Sequence, residues 1–490
     1  MDQSSQPVLK RGRSAEAAGA LTPRLFWLSF GVTILLSLIP VWGFDYFPSQ
    51  DGPVHLNSVA VLRDYREVPT YQHVYEPAWM FTTNQAFFWL YVNLGKFVPL
   101  LLAEKLLISL YLVAAPLALL LVLRWARSSP WAALPLVPAL SSLALYMGFY
   151  SFCLSVPLFT LCLGAYQRFN RQPGWKVGLL LALLVYLTYL VHILAALWAI
   201  GLTGLYSLLD TWRSRGLKPL SALLGLVPTL VILFAFWLER STRLASFSEE
   251  ASAASALELP LTFVARLFGT PLGPLEKLRY LLGSLPYTPA WLVGLYFALL
   301  LALSALAWRS ARRAGRLPSA LSGGLVMLLG LLLTPERIDE FGWMPGRLFP
   351  LVVVALCLGI GSARLPKRVW QMGGLLTLGI TLLTLPYRLP AHAEANAELS
   401  AYRVLGKALP PNSVVLPVHL DALFTTEERA AANKRPTFSP LYHAAGYLLL
   451  DKPLVNLRNY SRYHLVTDKL SRKMNVTDVS FRMMTVVPNN

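Results

Sequence analysis

The sequence predicts an all-α polytopic membrane bundle of about eleven transmembrane helices, followed by a small C-terminal α/β or α+β soluble segment on the outer side. Three observations predict it. Of the 490 residues, 55% are hydrophobic and only 14% charged, where soluble chains carry roughly 25% charge. Apolar runs long enough to cross a hydrocarbon layer of about 30 Å recur through the first 386 positions. The net charge of +18 is concentrated in short basic clusters between those runs.

The basic clusters set the path. They are the N-terminus with Lys10, Arg11, Arg13 and Arg24; Arg124 and Arg127; Arg168, Arg171 and Lys176; Arg213, Arg215 and Lys218; Arg309, Arg312, Arg313 and Arg316; and Arg364, Lys367 and Arg368. Asp2, Glu16 and Asp210 are the acidic residues within them. Lys and Arg mark cytoplasmic loops, so the chain crosses an even number of times between any two clusters. This distribution records membrane orientation and argues against nucleic-acid binding.

Each span follows from that rule. The first, 25–44, is too long for a signal peptide's apolar region and lacks a small-x-small cleavage site, so it is a retained helix. Residues 105–123 return the chain to the second cluster. Pro130 to Tyr166 carries no charge; one helix of that length would measure about 55 Å, so two helices, 131–147 and 149–167, turn near Gly148 and Tyr150. Val177 to Leu209 is likewise a hairpin of two short helices, 177–191 and 193–209, turning near His192. The remaining spans are 219–238, 289–308, 319–334, 347–363 and 369–386.

Eleven crossings carry a cytoplasmic N-terminus to an outer C-terminus, as expected for a multi-pass protein of the plasma (inner) membrane. The resulting division is a cytoplasmic tail 1–24, a transmembrane domain 25–386 with outer loops 45–104, 239–288 and 335–346, and an extracytoplasmic domain 387–490. In the last, Glu394 to Lys407 reads as a helix, Val414 to Val418 as a strand and Leu441 to Leu450 as another helix. Asn459-Tyr-Ser and Asn475-Val-Thr match the glycosylation pattern. The three cysteines, Cys153, Cys162 and Cys357, lie in apolar runs, and the first two are about 13 Å apart along a helix, too far for a disulfide.

The most specific pattern is Asp45-Tyr-Phe-Pro-Ser-Gln-Asp51-Gly-Pro-Val-His55-Leu-Asn in the first outer loop. Pro53 suits a first helical turn and Asp51 an N-cap. A helix starting there puts Asp51 and His55 on one face. Leu56, Val59 and Ala60 would lay it along the membrane surface. Two readings stand: Asp51 merely caps the helix beside a packed His55, or it is a base at the rim of a membrane cavity, its basicity tuned by desolvation and a neighbouring His.

With its first helix, this loop resembles the type C (GT-C) membrane glycosyltransferase superfamily, whose members include protein mannosyltransferases, lipid A aminoarabinose transferases and oligosaccharyltransferases. The resemblance is residue-level over about 25–66 and architectural beyond. Members commonly place adjacent acidic residues in this loop; here Asp45 and Asp51 are six apart. The resemblance implies a sugar donor on a polyprenyl-phosphate carrier, and a lipid, glycan or protein acceptor on the outer face. It implies no certain cofactor and leaves room for a divalent cation.

That chemistry needs a base, a phosphate clamp and a groove. Asp51 or Asp45 supplies the base. Arg347, in Pro345-Gly-Arg347-Leu-Phe-Pro350, suits the clamp, because a guanidinium matches phosphate oxygens; its alternative role is an anchor snorkelling to the interface. His192 is an ionisable residue inside an apolar run, a candidate by that fact, unless its turn faces water. Tyr150, Glu336, Asp339 and Glu340 complete the substrate-binding candidates. His443 reads as structural.

Two further readings fit the composition: a non-enzymatic lipid or solute transporter or assembly subunit, and an outer-face polymerase or ligase for lipid-linked glycans. Walker A, GxGxxG, HExxH and GxSxG motifs are all missing, which argues against ATP-driven transport, dinucleotide chemistry and two hydrolase classes.

Overall fold

The computed structural model describes residues 11–77, 83–247, 273–315, 317–335, 342–417, 438–457 and 466–468. Half of the expected loop 239–288, Val418, Glu336, Asp339, Glu340 and both Asn-x-Ser/Thr sites lie outside the described residues.

The fold is helical and polytopic. It opens with α1 (Arg11–Trp42), α2 (Gly52–Asp64), α3 (Pro69–Val74), strand β1 (Tyr75–Pro77), α4 (Ala86–Leu94) and α5 (Leu100–Trp125). Then come α6 (Leu136–Leu140), α7 (Leu143–Tyr146), α8 (Tyr150–Arg171), α9 (Trp175–Val191), α10 (Ile193–Ser214) and α11 (Val227–Phe247). The rest is α12 (Pro274–Leu282), α13 (Ala290–Arg313), α14 (Ser319–Leu333), α15 (Met344–Gly361) and α16 (Lys367–Ala408). Among the described residues, eight helices are long and apolar enough to cross a membrane. The expected spans 131–147, 177–191 and 319–334 fall on shorter apolar helices, Pro130–Leu140, Trp175–Val191 and Ser319–Leu333.

Two spans differ from expectation for local reasons. Residues 130–146 form a 3-10 turn, α6 and α7 rather than one helix, because Pro135 and Pro138 remove the backbone donors a continuous helix needs. Irregular backbone at membrane depth survives only inside protein, and every residue from Trp131 to Gly148 is buried. At the far end, the expected span 369–386 and the helix 394–407 merge into α16, 42 residues long. Such a helix measures about 63 Å, twice the hydrocarbon thickness, so it projects beyond the bundle.

α15 is the bundle's central helix, 94% of its residues being buried. It packs most closely on α14, and small residues permit the approach. A Cβ on Gly359 would stand 2.8 Å from the Leu321 Cα, and one on Gly324 3.0 Å from the Ala355 carbonyl oxygen.

The first loop is not a surface appendage. α2 is buried from Gly52 to Val61, enclosed by α4, α5 and the C-terminal segment. The sequence has no charge between Gly52 and Leu62, so nothing forces a wet face. The C-terminal segment folds back over it. Strand β2 (Val414–Val415) pairs in parallel with β3 (Val455–Asn456), and β4 (Val466–Asp468) pairs antiparallel with β1 of the first loop. Between them, the expected helix at 441–450 is a 3-10 helix, Ala444–Leu450, packed on α2 and α16.

Candidate active site

The site is built on a tight turn between α7 and α8. The Gln50 N–H donates to the Tyr146 carbonyl at 2.9 Å, and the Asp51 N–H to that of Met147 at 3.1 Å. Gly148 has φ +80°. A Cβ there would lie 2.7 Å from the Gly52 nitrogen and 2.9 Å from that of Asp51, so only glycine allows the turn and the loop to meet.

His55 locks this junction. Its Nε2 donates to the Gly148 carbonyl at 2.9 Å, and its ring packs edge-on against Phe87 and Phe88. Burial pushes its pKa down to about 4, partly offset by that hydrogen bond. His55 is thus neutral at pH 7, with its Nε2 engaged by Gly148.

Asp51 occupies the N-cap position of α2 but does not cap it. Its backbone is α-like (φ −96°, ψ −6°) and its side chain makes no capping hydrogen bond; a capping side chain reaches back from an extended backbone. The carboxylate is left available, with 28% of the side chain exposed. Burial pushes its pKa up to about 7, opposed by the charge of Arg347 and a hydrogen bond from Gln50. His443 Nε2 lies 3.7 Å from Asp51 Oδ1.

Arg347 projects from the first turn of α15, its guanidinium 3.6 Å from the centre of the Phe149 ring. Its Nε is buried without a hydrogen-bond partner. An interfacial anchor would reach outward to headgroups, but α15 is the most enclosed of the spans. The charge of Arg347 is felt at both Asp51 and His192. His192 is the extended break between α9 and α10. It is 4% exposed, accepts the Leu194 N–H on Nδ1 at 3.2 Å and packs edge-on against Phe152. It is a buried cap, not a water-facing turn.

A buried polar layer supports the junction. The Tyr150 hydroxyl donates to Glu104 Oε1 at 2.8 Å and lies 2.6 Å from the Ser49 hydroxyl. Tyr150 therefore braces the floor beneath α2. Glu104 is 2% exposed; at the first turn of an apolar run it reads as a loop end, so sequence reasoning missed it.

Arg388 and His392 of α16 were missed too. The Tyr146 hydroxyl is 2.9 Å from His392 Nε2, and Arg388 donates to the Ser141 carbonyl at 3.3 Å. For Arg388 a signal was present: it is a basic residue at the end of a span where the orientation rule expects none. Asp45 is exposed just after α1.

Among the described residues, no three His, Cys, Asp or Glu side chains gather as a metal-ligand set. Among the described residues, Asp51 stands in electrostatic range of Arg347 rather than within the several oxygen ligands that a divalent cation takes.

No family model matches the sequence, and no curated protein matches it. Two solved structures of ArnT from Cupriavidus metallidurans are similar. The one bound to undecaprenyl phosphate has a TM-score of 0.51 at 13% identity, covering 89% of this chain and 90% of that one. The apo structure has a TM-score of 0.52 at 14% identity, covering 90% and 86%. The chain accordingly has the fold of ArnT, a type C membrane glycosyltransferase.

Proposed function

We propose that this protein transfers a sugar from a polyprenyl-phosphate carrier to an acceptor at the outer face of the membrane, with Asp51 as base and Arg347 as phosphate clamp. The observation that carries this reading is a half-buried, uncapped carboxylate in electrostatic range of a guanidinium whose Nε has no protein partner. ArnT bound to undecaprenyl phosphate supports the carrier class. The helices α8 and α10 begin beside the cluster and carry Arg168, Arg171 and Arg213 in their last turns. The cluster is thus at the end away from the basic residues, which supports the outer face.

In the proposed step, an acceptor hydroxyl or amine attacks the sugar's anomeric carbon. The bond from that carbon to the carrier phosphate breaks, and the electron pair leaves with polyprenyl phosphate. The acceptor's proton goes to an Oδ of Asp51. Arg347 holds the phosphate oxygens through charge-assisted hydrogen bonds, and the charge released on the leaving phosphate strengthens them as the bond breaks.

Asp51→Asn tests the base. It preserves shape and removes basicity, so transfer from polyprenyl-phosphate sugars, assayed with reconstituted protein, is expected to fall by about 10² to 10⁴. Asp45→Asn serves as the control and stays milder, because Asp45 is exposed. Loss at Asp45 alone would move the base six residues upstream. Full activity in the double variant would remove the base assignment altogether.

A further inference from the structure

The C-terminal segment does more than cover the bundle. We propose that it completes the active site by supplying His443, a positioning residue that orients and hydrogen-bonds the Asp51 carboxylate during transfer. This rests on the reading of Asp51 as the base.

The placement is over-determined. Gly446, three residues after His443, lies so close to the first turn of α2 that a Cβ would stand 2.5 Å from the Pro53 carbonyl carbon. The Ser439 N–H donates to Gln50 Oε1 at 3.1 Å, beside Asp51. Phe438 packs on Tyr146 and Tyr287, and Tyr447 on Tyr46 at 4.9 Å. On the other side, a Cβ on Gly406 of α16 would stand 2.5 Å from the Leu448 carbonyl oxygen. The segment is therefore clamped between α2 and α16, and the clamp fixes where His443 stands.

His443 is 8% exposed. Its Nε2 lies 3.7 Å from Asp51 Oδ1, longer than a hydrogen bond but within the range over which catalytic contacts tighten when substrate binds. The groups facing Asp51 are Arg347 from α15, His443 from the C-terminal segment and Gln50 from its own loop. His55, on α2 itself, is engaged with Gly148. With Arg347 reserved for the carrier phosphate, His443 is the side chain placed to hold the carboxylate against the acceptor.

Kinetics across pH test this. His443→Ala is expected to lower kcat about tenfold with the donor KM unchanged, and to move the acidic limb of the rate profile to higher pH. His443→Gln, whose amide N–H reaches a similar point, is expected to restore part of both changes. A kcat and pH profile like wild type in His443→Ala, while Asp51→Asn is inactive, would overturn the pairing and leave the base in place. Should His443→Ala not fold, an unshifted limb in His443→Gln together with a tenfold loss would equally overturn it, since a residue with only a packing role does not move the limb. An active Asp51→Asn would overturn the function itself, and the pairing with it.

Discussion

At the scale of the residue, the candidate site depends on one carboxylate that starts a helix without capping it. Asp51 keeps a helix-start position without using its oxygens for the helix, and burial raises its pKa to about 7. A carboxyl whose folded pKa exceeds its unfolded value favours folding fully below about pH 4, and that contribution is lost as pH rises through 7. The proposed activity runs the other way, because Asp51 acting as a base must be ionised. The kcat/KM of the free enzyme is expected to rise about tenfold per unit below pH 7 and level off above it. Arg347 holds this pKa down, so Arg347→Gln should move the midpoint upward. A pH–rate profile with an unmoved midpoint would mean that the two charges do not share one site.

At the scale of the element, helix breaks place the functional groups. Gly148, with its positive φ, ends the irregular α6–α7 stretch; His192 separates α9 from α10 as a single extended residue. Both breaks were legible, since charge-free runs of about 55 and 50 Å cannot cross a layer of about 30 Å only once. The internal breakage of 130–146 and the union of the last span with the following helix were not, because both depend on what surrounds the backbone rather than on its own periodicity. The hairpin over α9 and α10 has a direct consequence. Single cysteines at the exposed positions Ser214 and Ala314 should resist an impermeant thiol reagent applied from outside, while those at the exposed Glu67 and Glu398 should react. Outside labelling at Ser214 would invert the hairpin and with it the face on which the cluster opens.

At the scale of the whole molecule, the bundle converges distant segments on one point. Asp51 comes from the first loop, Phe149 from the α7–α8 turn, Arg347 from the central helix and His443 from the C-terminal segment. The sequence pointed to Asp51 and Arg347 because each breaks a local pattern, an acidic residue before Gly-Pro and a cation at the non-basic end of a span. Arg388 carries the same signal as Arg347, but Glu104, His392 and His443 carry none, and the contacts of all four span 46 to 392 positions of chain. The central claim is that this convergence holds a lipid phosphate, and the binding of undecaprenyl phosphate to the purified protein in lipid nanodiscs tests it most directly. Arg347→Lys keeps the charge but loses the two-pronged geometry, and loss of a charge-assisted hydrogen bond corresponds to about tenfold or more in affinity. Binding should weaken by that factor in the lysine variant relative to wild type; equal affinity in the two proteins would rule out a phosphate clamp at Arg347.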